Sequence, residues 1–219
     1  MSMKRYVHSI AALSVVLLAV VLVVASQEKT EMAQFVIHPK LEVAVPDFPA
    51  EGLILDIGGG GEGVIGQLKG RQVVAIDLLK RELEEAPGEP LIKIVMDARD
   101  LKFLDQTFDT ATVFFTFMYI APVDHAKVFQ ELYRVLRPGG RLLIWDPIFP
   151  AKADPAKPRI MYPLHIKLPA KDINTGYGVR IAQGQGTEHF VELAKASGFE
   201  VVAKKSETGW FHLDLKKGA

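Results

Sequence analysis

The sequence predicts an α/β fold, with a doubly wound, mostly parallel seven-stranded sheet covered by helices on both faces. Three observations predict it. Short apolar runs alternate with helix-like stretches from residue 52 to the end of the chain. Most of these runs are apolar at every position, as parallel strands are when both of their faces are buried. A glycine-rich turn follows the first run directly, within LDIGGGGEG at residues 55–63.

The core elements follow in chain order, because strands are short apolar runs whereas helices are longer and amphipathic. The expected strands are GLILDI (52–57), QVVAID (72–77), LIKIVMD (91–97), TATVFFTFM (110–118) and RLLIWD (141–146). The expected helices are EGVIGQLKG (62–70), LLKRELEEA (78–86) and VDHAKVFQELYRVLRPGG (123–140). Proline and glycine residues end the second and third of these helices.

The pattern changes after Asp146. Four prolines between residues 147 and 158 predict a long loop, and the alternating Leu164, Ile166 and Leu168 predict a β-hairpin after it. The chain then closes with one helix and two strands. These are TEHFVELAKASG (187–198), FEVVAKK (199–205) and WFHLDLK (210–216).

A separate apolar segment, YVHSIAALSVVLLAVVLVVA, occupies residues 6–25 near the N-terminus. Its length is that of a membrane-spanning helix, so residues 1–27 are predicted to be an N-terminal membrane anchor. A cleaved secretory signal stays open as an alternative, because Val23 and Ala25 suit a cleavage site. Residues 28–51 contain three prolines and are expected to form a connector with one short ordered piece, followed by the folded domain at 52–219.

Charge and composition narrow the functional classes. The 26 basic residues balance the 26 acidic ones, so no nucleic-acid partner is expected. The chain has no cysteine, which excludes disulfides, thiolate nucleophiles and cysteine-based zinc sites. Its six histidines show no ligand spacing such as H-E-x-x-H, so no metal site is expected either.

The glycine-rich turn has the pattern of a nucleotide-binding loop. Its G-x-G-x-x-G glycines are Gly58, Gly60 and Gly63. Glycines behind a strand let the backbone turn tightly and approach a ligand closely. Acids also end three consecutive strands, at Asp56, Asp77 and Asp97, and parallel strands bring such ends to one edge of the sheet. We expect the three carboxylates to surround one crevice, with Asp77 placed to bind ribose hydroxyls.

The combination resembles the class I S-adenosylmethionine-dependent methyltransferases from about Leu53 to Trp145. LDIGGGG is similar to the first motif of that family, and VVAIDLL to the second. VMDARDLKFLDQTFDTATVFF resembles the adenine-contacting segment and fourth strand, and ELYRVLRPGGRLLIWD the helix, turn and fifth strand that follow. One departure is Glu62, which stands where the family commonly has a third glycine.

The resemblance implies S-adenosylmethionine as the cofactor and methyl transfer as the reaction. The residues it implies around the cofactor are Asp56 and Gly58 by the aminoacyl tail, Gly60 by the sugar, Asp77 with Leu78 at the ribose, and Asp97 with Ala98 at the base. Candidate catalytic residues follow the fourth and fifth strands. They are Tyr119, His125 and Asp146.

Apolar, aromatic and basic residues between positions 148 and 167 favour a lipophilic methyl acceptor, such as a lipid or quinone-like compound. A nicotinamide oxidoreductase is an alternative, although Asp56 and Glu62 would repel its pyrophosphate. A noncatalytic adenosyl-binding scaffold stays open as well.

Lys4 and Arg5 favour a cytoplasmic N-terminus and thus an exported domain. The supply of S-adenosylmethionine inside cells instead places the catalytic domain in the cytoplasm, which is our expectation.

Overall fold

The computed structural model describes residues 33–150, 154–182 and 185–218. The predicted membrane anchor at residues 1–27 lies outside this part of the chain, as does the start of the connector. Within the described residues, no helix combines the length and the apolar character that crossing a bilayer requires.

Eleven strands and four α-helices make up the described part of the chain. The strands are β1 (Phe35–Ile37), β2 (Leu41–Ala44), β3 (Ile54–Ile57), β4 (Val73–Asp77), β5 (Ile92–Val95), β6 (Phe108–Phe114), β7 (Leu136–Pro147), β8 (Arg159–Lys167), β9 (Asp172–Arg180), β10 (Phe199–Glu207) and β11 (Trp210–Lys217). The helices are α1 (Val64–Lys69), α2 (Lys80–Glu85), α3 (His125–Val135) and α4 (Thr187–Ala196). Short 3₁₀ turns lie at Gly70–Gln72, Phe117–Tyr119 and Pro122–Asp124.

The main sheet has seven strands in the order β10-β11-β7-β6-β3-β4-β5. Strands β7, β6, β3, β4 and β5 are parallel, whereas β11 runs antiparallel to both of its neighbours. The tight turn between β10 and β11 explains the antiparallel pair, because a short connection cannot join parallel strands. The predicted mostly parallel α/β sheet is confirmed, and its exact form is mixed.

Two element boundaries differ from the expected ones. The helix expected to reach residue 140 ends at Val135, and Leu136 is already extended. Leu136 pairs with Phe108 and is fully buried, so β7 begins there and includes the Pro-Gly-Gly segment. The strand expected to reach Met118 ends at Phe114, because Phe115 adopts a left-handed backbone with φ 48°.

A second, smaller sheet lies beside the main one. β8 is its centre; the predicted hairpin partner β9 pairs antiparallel on one edge, while β1 and β2 pair parallel on the other. Residues 35–44, expected to be part of a connector, therefore contribute two strands to this sheet. The sequence signal there was weak because the strands are only three and four residues long.

Both faces of the main sheet are covered. On one face, Val43, Tyr162 and Ile166 of the small sheet share a core with Ile54 and Trp145 of the main sheet. Helices α1 and α2 join the same core, and α3 and α4 cover the opposite face. The shared core fixes the small sheet in place, which is how β9 comes to lie over the ends of the parallel strands.

Ile166→Ala should lower the free energy of unfolding by about 2–5 kcal/mol, because the side chain is fully buried where the two sheets meet. Val202→Ala is the control, and its loss should stay below about 1 kcal/mol because Val202 is 58% exposed. Urea unfolding would be followed by tryptophan fluorescence and far-UV circular dichroism. Two separate transitions in the wild-type protein would contradict a shared core.

Candidate active site

A cavity of about 720 Å³ opens at the carboxyl ends of the parallel strands. Its volume is within the range usual for small-molecule sites. The loops after β3, β4, β5 and β6 form its walls, together with β9 of the small sheet. Among the residues predicted to bind or act, the structure brings these together around it: Gly58, Gly60, Asp77, Leu78, Asp97, Ala98 and Tyr119.

The glycine loop closes one side of the cavity and is packed too tightly for side chains. A Cβ on Gly58 would lie 2.2 Å from Thr116 Oγ1, and one on Gly60 would lie 2.7 Å from Asp77 Oδ2. Gly58 also has a positive φ of 70°, which L side chains rarely adopt. Glycine at these positions is therefore a requirement of the fold, and it leaves backbone rather than side chains facing the cavity.

Two of the three predicted acids line the cavity. Asp77 ends β4, and its Oδ1 accepts a hydrogen bond from the N–H of Leu79 at 2.9 Å. Asp97 follows β5 and is held by Arg99, whose Nη2 lies 2.7 Å from Asp97 Oδ2. Arg99 keeps the pKa of Asp97 below its usual value and also reaches Asp124 Oδ2 at 2.8 Å. Both carboxylates are therefore fixed in position.

Asp56 is the third acid, and it lies behind the glycine loop rather than on the cavity wall. Its side chain is 2% exposed, and Oδ1 accepts a hydrogen bond from Thr112 Oγ1 at 2.7 Å. A Cβ on Gly59 would be 2.8 Å from Asp56 Oδ2. Burial, with a smaller contribution from the Asp77 carboxylate, raises the pKa of Asp56 to about 7. Asp56 does not line the cavity, so its ionised carboxylate acts on a ligand only electrostatically, through the loop.

The charged residues on the cavity wall are mostly acidic. The carboxylates are Glu62, Asp77, Glu82, Asp97 and Asp124, and the guanidinium is that of Arg99. A cavity of this charge favours a cationic ligand and disfavours a pyrophosphate. Of the three acids predicted to surround one crevice, Asp77 and Asp97 line this cavity, whereas Asp56 lies behind the glycine loop.

Comparison with known proteins bears on what this cavity holds. Residues 55–144 match the family model described as a methyltransferase domain. The ubiquinone/menaquinone biosynthesis C-methyltransferase UbiE of Desulfotalea psychrophila is 36% identical over 130 residues, which are 55% of this chain and 49% of that protein. A demethylmenaquinone methyltransferase of Thermus thermophilus is 39% identical over 83 residues, covering 35% of this chain and 37% of that protein. The matches thus span about half, or less, of these curated relatives.

Residues 55–144 form a methyltransferase domain. The family resemblance seen in the sequence is confirmed, and the cofactor of that class is S-adenosylmethionine. The solved S-adenosylmethionine-dependent methyltransferase of Methanosarcina mazei superposes with a TM-score of 0.55 at 19% identity, over 78% of this chain and 94% of that one. At that identity, the likeness shows that the two share a fold.

The part of the cavity wall formed by the segment after β6 and by β9 is aromatic. Phe114, Phe115 and Tyr119 come from the segment after β6, and Tyr177 comes from β9. The rings of Phe115 and Tyr177 lie 5.8 Å apart. Partial burial and the nearby carboxylates of Asp146 and Glu62 raise the pKa of Tyr119, so this phenol stays protonated at neutral pH. Its hydroxyl can orient a ligand oxygen but is not a base.

Asp146 does not line the cavity of the methyltransferase domain. It is fully buried, and its Oδ2 accepts the N–H groups of Phe117 at 2.9 Å and Thr116 at 3.1 Å. The carboxyl thereby holds the turn that carries Tyr119. Burial keeps the pKa of Asp146 well above its usual value. The position of Asp146 at a strand end predicts contact with the acceptor, but the side chain holds this turn instead.

His125 is also buried behind the wall. Its Nε2 lies 3.0 Å from the carbonyl oxygen of Ile120, which can only accept, so Nε2 carries the proton. Nδ1 then accepts from His189 Nε2 at 2.9 Å. Burial lowers the pKa of both histidines. Both ring nitrogens of His125 are occupied within the protein, so the side chain braces the wall between α3 and α4 and does not reach the acceptor.

Glu62 and Tyr177 are cavity residues to which the sequence assigned no role. Glu62 had one usable signal, since it departs from the glycine pattern of the family. Tyr177 had none, because pairing in the small sheet and packing of that sheet on the main one bring it to the cavity. Such long-range contacts leave no local motif.

The raised pKa of Asp56 predicts how stability depends on pH. Asp56 loses its proton near pH 3.8 in the unfolded chain, whereas the folded protein keeps that proton up to about pH 7. The resulting stabilisation of the folded state is full below this range and is lost as pH rises through it. Between pH 5 and 8, unfolding free energies of the unliganded wild type should fall by about 2–3 kcal/mol relative to Asp56→Asn. Urea titrations at several pH values measure this, and parallel curves would contradict a shifted Asp56.

Proposed function

We propose that this chain is an S-adenosylmethionine-dependent methyltransferase acting on a small, lipophilic acceptor. The observation that carries the proposal is the acidic cavity beside the four glycines at positions 58–61, at the edge where five parallel strands end. The match of residues 55–144 to the methyltransferase domain family supports methyl transfer as the reaction. The chain spans only part of its curated relatives, so activity and substrate are our proposal.

The described residues fit the cofactor. The glycine loop leaves room for a ligand at close approach, and the surrounding carboxylates suit a ligand that carries an ammonium and a sulfonium. Asp77 would accept hydrogen bonds from the ribose hydroxyls, with Leu78 beside it, and Gly60 would face the sugar. Asp97 and Ala98 would contact the base; the backbone N–H, Nε and Nη2 of Arg99 occupy three of the about four acceptor sites of the Asp97 carboxylate, which leaves one for the base. Gly58 would lie at the aminoacyl tail, with Asp56 acting through its charge.

When bound, S-adenosylmethionine supplies a methyl group that is already activated on a sulfonium. The protein then needs no nucleophilic side chain, and its residues mainly bind, orient and exclude water. Phe114, Phe115 and Tyr177 form an apolar wall that would keep water from the acceptor. Tyr119 would orient an acceptor oxygen through its protonated hydroxyl.

The aromatic end of the cavity supports a lipophilic acceptor. Relatives of this domain are named for ubiquinone, menaquinone and demethylmenaquinone, all of which are lipophilic ring compounds. We therefore propose a quinone-like acceptor for this chain. The predicted anchor at residues 1–27 would hold the domain beside a membrane in which such an acceptor dissolves, with the domain in the cytoplasm.

Asp77→Ala should weaken binding of S-adenosylmethionine by about 1–3 kcal/mol, because it leaves buried hydroxyls of the ligand without a partner. Asp100→Ala is the matched control, since this carboxylate is 67% exposed and lies away from the cavity wall. Calorimetry with S-adenosylmethionine, S-adenosylhomocysteine and NAD measures the effect. An unchanged affinity, or tighter binding of NAD, would count against the proposed site.

Turnover tests the acceptor. The wild-type protein, given methyl-labelled S-adenosylmethionine, should methylate a prenylated hydroquinone at least tenfold faster than phosphoethanolamine, because the cavity wall is aromatic at that end. Mass spectrometry of the products measures both, and Asp77→Ala at equal concentration is the low-affinity control. Cofactor binding without turnover of any member of a broad acceptor panel would indicate a noncatalytic scaffold instead.

A further inference from the structure

Glu62 links the glycine loop to the small sheet through two hydrogen bonds. The hydroxyl of Thr175 donates to Glu62 Oε1, and the hydroxyl of Tyr177 donates to Glu62 Oε2 at 2.6 Å. Gly61 and Gly63, on either side of Glu62, have positive φ values of 56° and 53°. The loop thus bends around Glu62 and sends its carboxylate across to β9.

The three side chains form a unit with a defined hydrogen-bonding character. Burial, together with the neighbouring Glu62 carboxylate, holds the pKa of Tyr177 well above its usual value, so the phenol keeps its proton. That proton and the hydroxyl proton of Thr175 are both committed to Glu62. Toward a ligand, the unit therefore presents lone pairs, since a carboxylate can accept about four hydrogen bonds in all.

The unit belongs to the aromatic end of the cavity. Both Glu62 and Tyr177 line the cavity, and Tyr177 packs against Phe115. The Glu62 carboxylate is also close enough to Tyr119 to contribute to its raised pKa. The ribose and base positions proposed above are at Asp77, which ends β4, and Asp97, which follows β5. A ligand group that meets Glu62 beside the aromatic rings is therefore neither the ribose nor the base, and it belongs either to the acceptor or to the aminoacyl tail of the cofactor. The affinity for S-adenosylhomocysteine, which carries the same tail, separates the two.

We propose that Glu62, held by Thr175 and Tyr177, is the specificity-determining group of the aromatic end, and that it selects a methyl acceptor bearing an O–H or N–H donor. The inference rests on the proposed function for the nature of the ligand. A donor placed there forms a charge-assisted hydrogen bond, about twice as strong as a neutral one. An acceptor lacking the donor leaves the remaining lone pairs of the carboxylate desolvated and unpaired, which sites of this kind reject strongly.

The test compares two probes of nearly equal shape: a hydroquinone with one isoprenyl side chain, and its dimethyl ether. Binding is measured by anaerobic calorimetry in the presence of S-adenosylhomocysteine. The wild type should bind the hydroquinone at least tenfold more tightly than the ether. Glu62→Gln, which replaces lone pairs with an N–H donor, should reduce this preference to less than threefold. Glu82→Gln removes the same charge from the same cavity and should keep the preference.

The outcomes separate the inference from the proposed function. Glu62→Gln should leave the affinity for S-adenosylhomocysteine within threefold of wild type; a larger loss would assign Glu62 to the cofactor and overturn the inference. If Glu62→Gln keeps the preference for the hydroquinone, the contacts of Glu62 with Thr175 and Tyr177 have a structural role only, and the inference is overturned. Equal binding of both probes by the wild type, or no binding of either, also overturns the inference. Failure of wild type to bind S-adenosylmethionine at all would instead remove the proposed function.

A second measurement needs no ligand. In urea unfolding, Glu62→Ala, Tyr177→Phe and the double variant form a thermodynamic cycle that isolates their interaction. Because the two side chains share one hydrogen bond, the double variant should differ from the product of the single effects by about fivefold in the unfolding equilibrium constant. Independent effects would show that the bond to Tyr177 does not form, which would overturn the inference.

Discussion

The absence of side chains at positions 58–61, in the turn after β3, is the constraint on which the rest of the site depends. At Gly58 and Gly60, a Cβ would lie within 3 Å of Thr116 and Asp77, so the loop can settle between β4 and β6 only as glycine. Parallel pairing of β3, β4 and β5 brings the ends of these strands together. Asp77 and Asp97 then line one cavity, while Asp56 stays buried behind the loop.

That packing also explains the charge of the site. It leaves Asp56 without water, and the resulting pKa of about 7 makes the carboxyl responsive to whatever charge enters the cavity. A cationic ligand would favour its ionised form, whereas a pyrophosphate would meet repulsion from Asp77 and Glu62. Selectivity for a cationic adenosine derivative is in this view a property of the whole cavity wall and of Asp56, which is buried behind it.

The small sheet divides the cavity into two chemically different ends. Its strands β1, β2 and β8 are fixed by the core shared with the main sheet, and β9 consequently lies over the aromatic end. The carboxylate of Glu62 spans the gap between the two layers. One end of the cavity is thus built entirely from the parallel sheet and its loops, and the other requires the small sheet. This division suits a common cofactor with an acceptor that differs between proteins.

The sequence by itself determined the strands of the main sheet, the hairpin of β8 and β9, the glycine turn and the acids at the strand ends, because these depend on local periodicity and on spacing along the chain. It also identified the family. Only the tertiary structure decided which residues reach the cavity: Asp146 and His125 turn out to brace its wall, whereas Glu62 and Tyr177 meet on it. Those outcomes depend on pairing between β8 and β9 and on packing between two sheets, and contacts between distant residues leave no mark in the local pattern of a single sequence.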